Sequence, residues 1–125
     1  MMLILLVEDE PDLRDSLGAF LRAAGHAVVT AANGREAHNW LLHSGTRPDV
    51  ILLDLIMPIM DGWHFRWQQV QDARLAQIPV VILSGEADVH EAASSLGAAG
   101  YFAKPFDPVR LLGALQNAYP REPMA

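Results

Sequence analysis

A doubly wound α/β domain, built on a parallel sheet of five strands with five helices, is the fold the sequence predicts. Two observations carry it. Five short apolar runs alternate with longer segments of helical periodicity, at the spacing of βα units. Several of those runs, Val50-Ile51-Leu52-Leu53 above all, are apolar without alternation, as strands buried on both faces are. A length of 125 residues fits one domain with chain enough to bury a real core.

Residues 3 to 7 read as strand one, and Pro11 suits the first turn of the helix that follows, where its missing N–H has no partner anyway. Leu13, Leu17, Phe20, Leu21 and Ala24 recur on one face of that helix, and Gly25 ends it. Residues 27 to 31 form strand two, and Asn33-Gly34 reads as a turn. A second helix carries Ala37, Trp40 and Leu41 until Gly45 and Pro48 stop it. Strand three is residues 50 to 54, followed by a helix from about Trp63 to Ala73. Strand four is Pro79 to Leu83, and a small alanine-rich helix spans Ala87 to Leu96. Strand five is Gly100 to Ala103, and the last helix runs from about Pro108 to Tyr119. Right-handed crossovers and this size favour the flavodoxin-like strand order 2-1-3-4-5. The domain is expected over residues 1–119, with residues 120–125 a short disordered tail.

Composition narrows the function. No apolar stretch approaches the length that spans a bilayer, and the apolar start at Met1 to Val7 has neither a basic segment before it nor a cleavage site. Without cysteine there are no disulfides or thiolate metal sites, and a cytoplasmic protein is expected. The net charge is −6 and the basic residues are scattered, which argues against direct binding to nucleic acid. Lys104 is the single lysine.

The strand ends bring chemistry to one rim. Strand one delivers Glu8 and Asp9, strand three Asp54, strand four Ser84-Gly85, and strand five leads into Lys104-Pro105. Carboxylates this close repel by roughly 4 kcal/mol per pair at about 4 Å. An all-oxygen cluster of this kind suits Mg²⁺, or Mn²⁺, which neutralises it. A metal, a lysine and a hydroxyl together match the needs of a phosphoryl group, whose transfer is catalysed by positioning and charge neutralisation. Asp54 is then the candidate nucleophile, Ser84 a hydrogen-bond donor to a phosphoryl oxygen, and Gly85 leaves room for entry. The five histidines stand at no metal-ligand spacing, and Met57 and Met60 read as packing residues.

Glu8-Asp9, the block from Asp54 to Gly62 (DLIMPIMDG), Ser84-Gly85 and the block from Tyr101 to Phe106 (YFAKPF) together resemble the receiver domain of bacterial two-component response regulators. The resemblance runs from about Leu3 to Tyr119. It implies that Asp54 accepts a phosphoryl group from a histidine kinase or histidine phosphotransfer protein. Glu8 and Asp9 then hold Mg²⁺, with the backbone carbonyl of Ile56 as a further ligand, and Lys104 pairs with the phosphoryl group. Ser84 and Tyr101 match the switch pair, and the lysine–proline bond before Pro105 is expected to be cis. The face of the fourth helix, fifth strand and fifth helix becomes the output surface toward a downstream protein or a larger parent chain, and the candidate contact for a homodimer.

Departures from the family pattern sharpen the expectation. Ile56 and Glu86, each two residues past a site residue, flank the path of the water that hydrolyses an aspartyl-phosphate, and an apolar Ile56 cannot orient that water. Slow self-dephosphorylation follows. Trp67 stands where a polar or basic residue is more usual, and either packs on a neighbouring helix or marks a partner contact. Two competing functions are weighed. An aspartyl-phosphate phosphatase needs a second acid at position 56, which Ile56 lacks. A phosphorylation-independent binding module would have lost site residues that are all present here.

Overall fold

The computed structural model describes residues 1–85 and 89–118. Five strands, β1 (Leu3–Val7), β2 (Ala27–Ala31), β3 (Val50–Asp54), β4 (Val80–Ser84) and β5 (Gly100–Ala103), form one parallel sheet in the order β2-β1-β3-β4-β5. Five helices alternate with them: α1 (Pro11–Ala23), α2 (Gly34–His43), α3 (Gly62–Gln71), α4 (Val89–Ser95) and α5 (Pro108–Ala118).

The alternation of side chains along each strand sorts the apolar residues into two cores. Ile4, Leu6, Val50, Leu52, Val81 and Leu83 point to one face, where Leu17 and Leu21 of α1 and Leu111 and Leu115 of α5 cover them. Leu5, Val7, Ile51, Leu53, Val80 and Ile82 point to the other, beneath Leu41 of α2, Phe65 of α3 and Ala92 of α4. Every residue of β3 and β4 is buried, as the unalternating apolar runs require, whereas the edge strand β2 is largely half-buried.

Differences from the sequence expectation lie at the ends of elements. Asn33-Gly34 is no turn: Asn33 is the N-cap of α2, its side-chain oxygen accepting the Glu36 N–H at 3.0 Å, and Gly34 is already helical. The Asn-Gly pair marks a hairpin only between antiparallel strands; here the chain must enter a helix that crosses over to a parallel strand. Strand β4 is shifted by one residue, to Val80–Ser84, because its pairing with β5 extends through Ser84 opposite Ala103. Helix α3 starts at Gly62, capped by Asp61, and stops at Gln71 instead of Ala73. Helix α4 is described from Val89 to Ser95, and the expected start at Ala87 lies outside the described residues, as do Tyr119 and the tail. Helix α1 ends at Ala23, where Gly25 at φ +98 reverses the chain, so Ala24 lies beyond the apolar face and is exposed.

One polar network is buried in the α3 layer. Arg66 donates from Nε to the Leu96 carbonyl (2.9 Å), from one terminal nitrogen to the Gly97 carbonyl (3.3 Å) and from the other to Gln69 Oε1 (2.8 Å). Gln69 in turn donates to the carbonyls of Leu75 and Ile78. Among the described residues, no helix is long and apolar enough to cross a membrane.

Candidate functional site

The carboxyl ends of β1, β3, β4 and β5 meet at one rim, where doubly wound sheets collect their chemistry. Glu8 leaves β1 fully buried, its N–H donated to the Ala31 carbonyl of β2. Its Oε2 accepts the Glu10 N–H at 3.1 Å, which fixes the side chain across the start of α1. Asp9 is half-buried beside it. Asp54, the last residue of β3, is 3% exposed. One carboxylate oxygen from each of Glu8, Asp9 and Asp54 lies within 4.8 Å of the other two.

Lys104 enters this cluster from β5. Its N–H is donated to the Ser84 carbonyl at 2.8 Å, joining the ends of β4 and β5. Its ammonium sits 2.6 Å from Glu8 Oε1 and 3.3 Å from Asp54 Oδ2. The Lys104–Pro105 peptide is cis, as expected. Two buried carboxylates thus share one ammonium, and one negative charge stays uncompensated. Burial, and then the adjacent Glu8, push the Asp54 carboxyl up to about 7, although Lys104 pulls the other way. Burial alone would lower Lys104, but its contacts with Glu8 and Asp54 outweigh that and hold it above its ordinary value.

The loop after Asp54 is built tightly around the site. The Ile56 N–H points at Asp54 Oδ1 at 3.4 Å, while Ile56 is 57% exposed. Ile59 has φ +68, a conformation costly for a β-branched residue, on the order of 1–3 kcal/mol. The loop is held there by Met60, whose carbonyl accepts the Gly34 N–H at 2.9 Å. Gly62 donates its N–H to the Leu55 carbonyl at 2.9 Å; a Cβ at this position would lie 2.4 Å from the Asp54 carbonyl oxygen. Only glycine lets α3 start so close to the acid.

The donor set fits a small hard cation. Three carboxylate oxygens converge from two strands, and octahedral coordination at about 2.1 Å needs neighbouring oxygens of this kind with room left for water. The structure brings Glu8, Asp9, Asp54 and Lys104 together, with buried Ser84 ending the strand between Asp54 and Lys104. Tyr101 is elsewhere: it pairs in register with Ile82, two residues before the rim, is 43% exposed, and sets its ring at a tilt against that of His90 on α4, 5.2 Å between centroids. It does not fill the core. Glu86 lies outside the described residues. Sequence reasoning missed Arg14, whose guanidinium donates to the carbonyls of Glu8 (3.0 Å) and Asp9 (3.4 Å) and so steadies the acidic pair. Its position one turn into α1, beside two acids, was the available signal.

The chain matches the response regulator receiver domain over residues 4–116. It is 35% identical over 122 residues to the response regulator Rre1 of Synechocystis, covering 95% of this chain and 52% of that protein. It also resembles solved structures: the chemotaxis response regulator CheY4 of Vibrio cholerae, at 33% identity and a TM-score of 0.84, covering 94% and 98% of the two chains. A further one is the response regulator TrrA of Thermotoga maritima in complex with Mg²⁺-BeF, at 28% identity and a TM-score of 0.82, covering 94% and 99%. This chain belongs to the response-regulator receiver domain family. Domains of this family are signalling domains, not classical enzymes. It spans about half the length of the first curated relatives it matches.

Proposed function

We propose that Asp54 accepts a phosphoryl group from a histidine kinase or histidine phosphotransfer protein and that the chain thereby switches a protein-contact surface. The observation that carries this is the buried Asp54 carboxylate held within 4.8 Å of Glu8 and Asp9 oxygens and 3.3 Å from the Lys104 ammonium. Such a group is expensive to bury unless its charge is used.

In the forward step an Asp54 carboxylate oxygen attacks phosphorus. The new bond makes an aspartyl-phosphate, and the bond from phosphorus to the donor nitrogen or oxygen breaks with its electron pair. Glu8, Asp9, Asp54 and the Ile56 carbonyl are the residues that would hold Mg²⁺, or Mn²⁺. The cation supplies charge neutralisation for the phosphoryl oxygens when bound. Lys104 can leave Glu8 and pair with a phosphoryl oxygen without changing its position at the end of β5. Ser84 supplies a hydroxyl on the same side, and its displacement would draw in Tyr101, which is unhindered by core packing.

The exposed, apolar Ile56 offers an incoming water no hydrogen bond, which supports a long-lived phosphoryl group; Glu86 is the second residue assigned to this rate. The output surface is the side formed by α4, β5 and α5, where Tyr101 and Val109 are exposed. Its partner is a downstream protein or the rest of a longer parent chain, in the cytoplasm, with a homodimer as one form of that contact. The functional unit is residues 1–119.

Incubation with Mg²⁺ and acetyl phosphate, followed by intact mass, tests the central claim. The expected result is a gain of one phosphoryl group that disappears in Asp54→Ala and on chelation. No gain in the wild type would remove Asp54 as acceptor and leave a binding module on the same fold.

A further inference from the structure

Helix α3 carries its polarity inside out. Besides Phe65 and the close-packed Gly62, its buried positions are Arg66 and Gln69, seated by hydrogen bonds to carbonyls of neighbouring segments. Its other large apolar residues, Trp63, Trp67 and Val70, are spaced i, i+4, i+7 and so form one stripe. That stripe faces outward: the three side chains are 41%, 60% and 43% exposed. The helix is held in place without them, and a contiguous apolar stripe on a seated helix marks a contact surface.

The surroundings say what kind of contact. Leu42, near the end of α2, is also exposed, and between α2 and α3 runs a groove of about 510 Å³ lined by His38, Leu42, Trp67, Gln71 and Asp72. Trp67 forms one wall of this groove and is 60% exposed, so an accessible indole and the hollow it borders belong to one surface. That is the geometry a two-fold interface requires, since each copy must present both halves of every contact. Charge points the same way. The single ionic side chain of α3 is Arg66, and it is buried. In a chain of net charge −6, this is a face through which two like-charged copies can approach. A basic partner would find no free acid there, because Asp72 is paired with Arg74 at 2.8 Å.

We propose that α3 and the end of α2 form a self-association face, on which two copies pack about a two-fold axis with Trp67 of each in the groove of the other. The indoles, Val70 and Leu42 offer a few hundred Å² of apolar surface per copy, roughly, which places the contact in the small, reversible class. This face is built from other elements than the α4, β5 and α5 side and operates without phosphorylation.

Sedimentation equilibrium of the whole unphosphorylated chain, from about 10 μM to about 1 mM, tests this. A monomer–dimer equilibrium is expected within that range, with tryptophan emission shifting to shorter wavelength as dimer forms. Trp67→Glu should remain monomeric throughout while keeping the wild-type circular dichroism and the Mg²⁺-dependent phosphoryl gain. Val109→Glu, on the exposed side of α5, should dimerise as the wild type does. If Trp67→Glu folds poorly, the pair Trp63→Gln and Trp67→Gln serves instead. A wild type monomeric at about 1 mM overturns the proposal, whether or not a foreign protein then binds at Trp67. So does a dimer that survives loss of Trp67 or is lost in Val109→Glu.

Discussion

At the scale of single residues, Ile56 is the position proposed to set how long the signal lasts. Its N–H faces Asp54, while its side chain is exposed and apolar and so offers an incoming water no hydrogen bond. Ile56→Asn puts an amide there that can orient the water. The phosphoryl half-life, followed by intact mass after removal of the donor, should shorten several-fold, less than the roughly 10²–10⁴-fold of a full general acid or base because an amide only orients the water. A wild-type half-life of seconds would refute the role given to Ile56. Most of this site was legible from the chain alone, because acids at the ends of buried apolar runs must converge once the sheet is parallel. The pairing of Lys104 with Glu8 was not. It joins residues 96 apart in the sequence, and depends on how far a flexible lysine reaches across the pocket.

At the scale of elements, the junction between β3 and α3 is the tightest point in the molecule. Gly62→Ala would drive a methyl group to 2.4 Å from the Asp54 carbonyl oxygen, a backbone atom that cannot rotate away. A loss of about 2–3 kcal/mol is expected by urea denaturation, with weakened phosphoryl acceptance because Asp54 itself must shift. Gly113→Ala, inside α5 with nothing within 4 Å of the added methyl, should instead be neutral or slightly stabilising. The strands were read to within a residue because burial on both faces writes itself as unbroken apolar sequence. Helix α3 was placed to within two residues at its ends, but its buried face was not legible, for the opposite reason. Its inner positions hold Arg66 and Gln69, whose burial is made tolerable by carbonyls from α4's end and the loop before β4, partners no periodicity can reveal. Asn33 was misread because the same residue that favours a tight turn also caps a helix, and only the parallel sheet decides between them.

For the whole molecule, the buried acid at the end of β3 sets how stability depends on pH. Asp54 goes from 3.8 when unfolded to about 7 when folded without metal, so between those values the folded chain binds the proton more tightly. Stability of the metal-free protein therefore falls as pH rises from about 4 to 7, by an upper bound of about 4 kcal/mol from this group. In chelator, Asp54→Asn should match the wild type near pH 4 and melt at a higher temperature by pH 7, and Mg²⁺ at pH 7 should narrow the gap. Equal melting temperatures across that range would contradict the uncompensated charge. The cation under α3 behaves otherwise: burial lowers Arg66, yet a guanidinium keeps its proton throughout this range. Its bonds to the carbonyls of Leu96 and Gly97 pin the C-terminal end of α4 at every pH the fold survives. Helix α4, a rod about 10 Å long, is packed on the sheet through Val89, Ala92 and Ala93, and only its C-terminal end carries these extra polar ties. Under the proposed switch, a push from Ser84 would meet a helix whose far end is held by Arg66, so it would turn α4 about that end more readily than slide it along the sheet, and a short movement at the acceptor would leave the molecule as a change of angle.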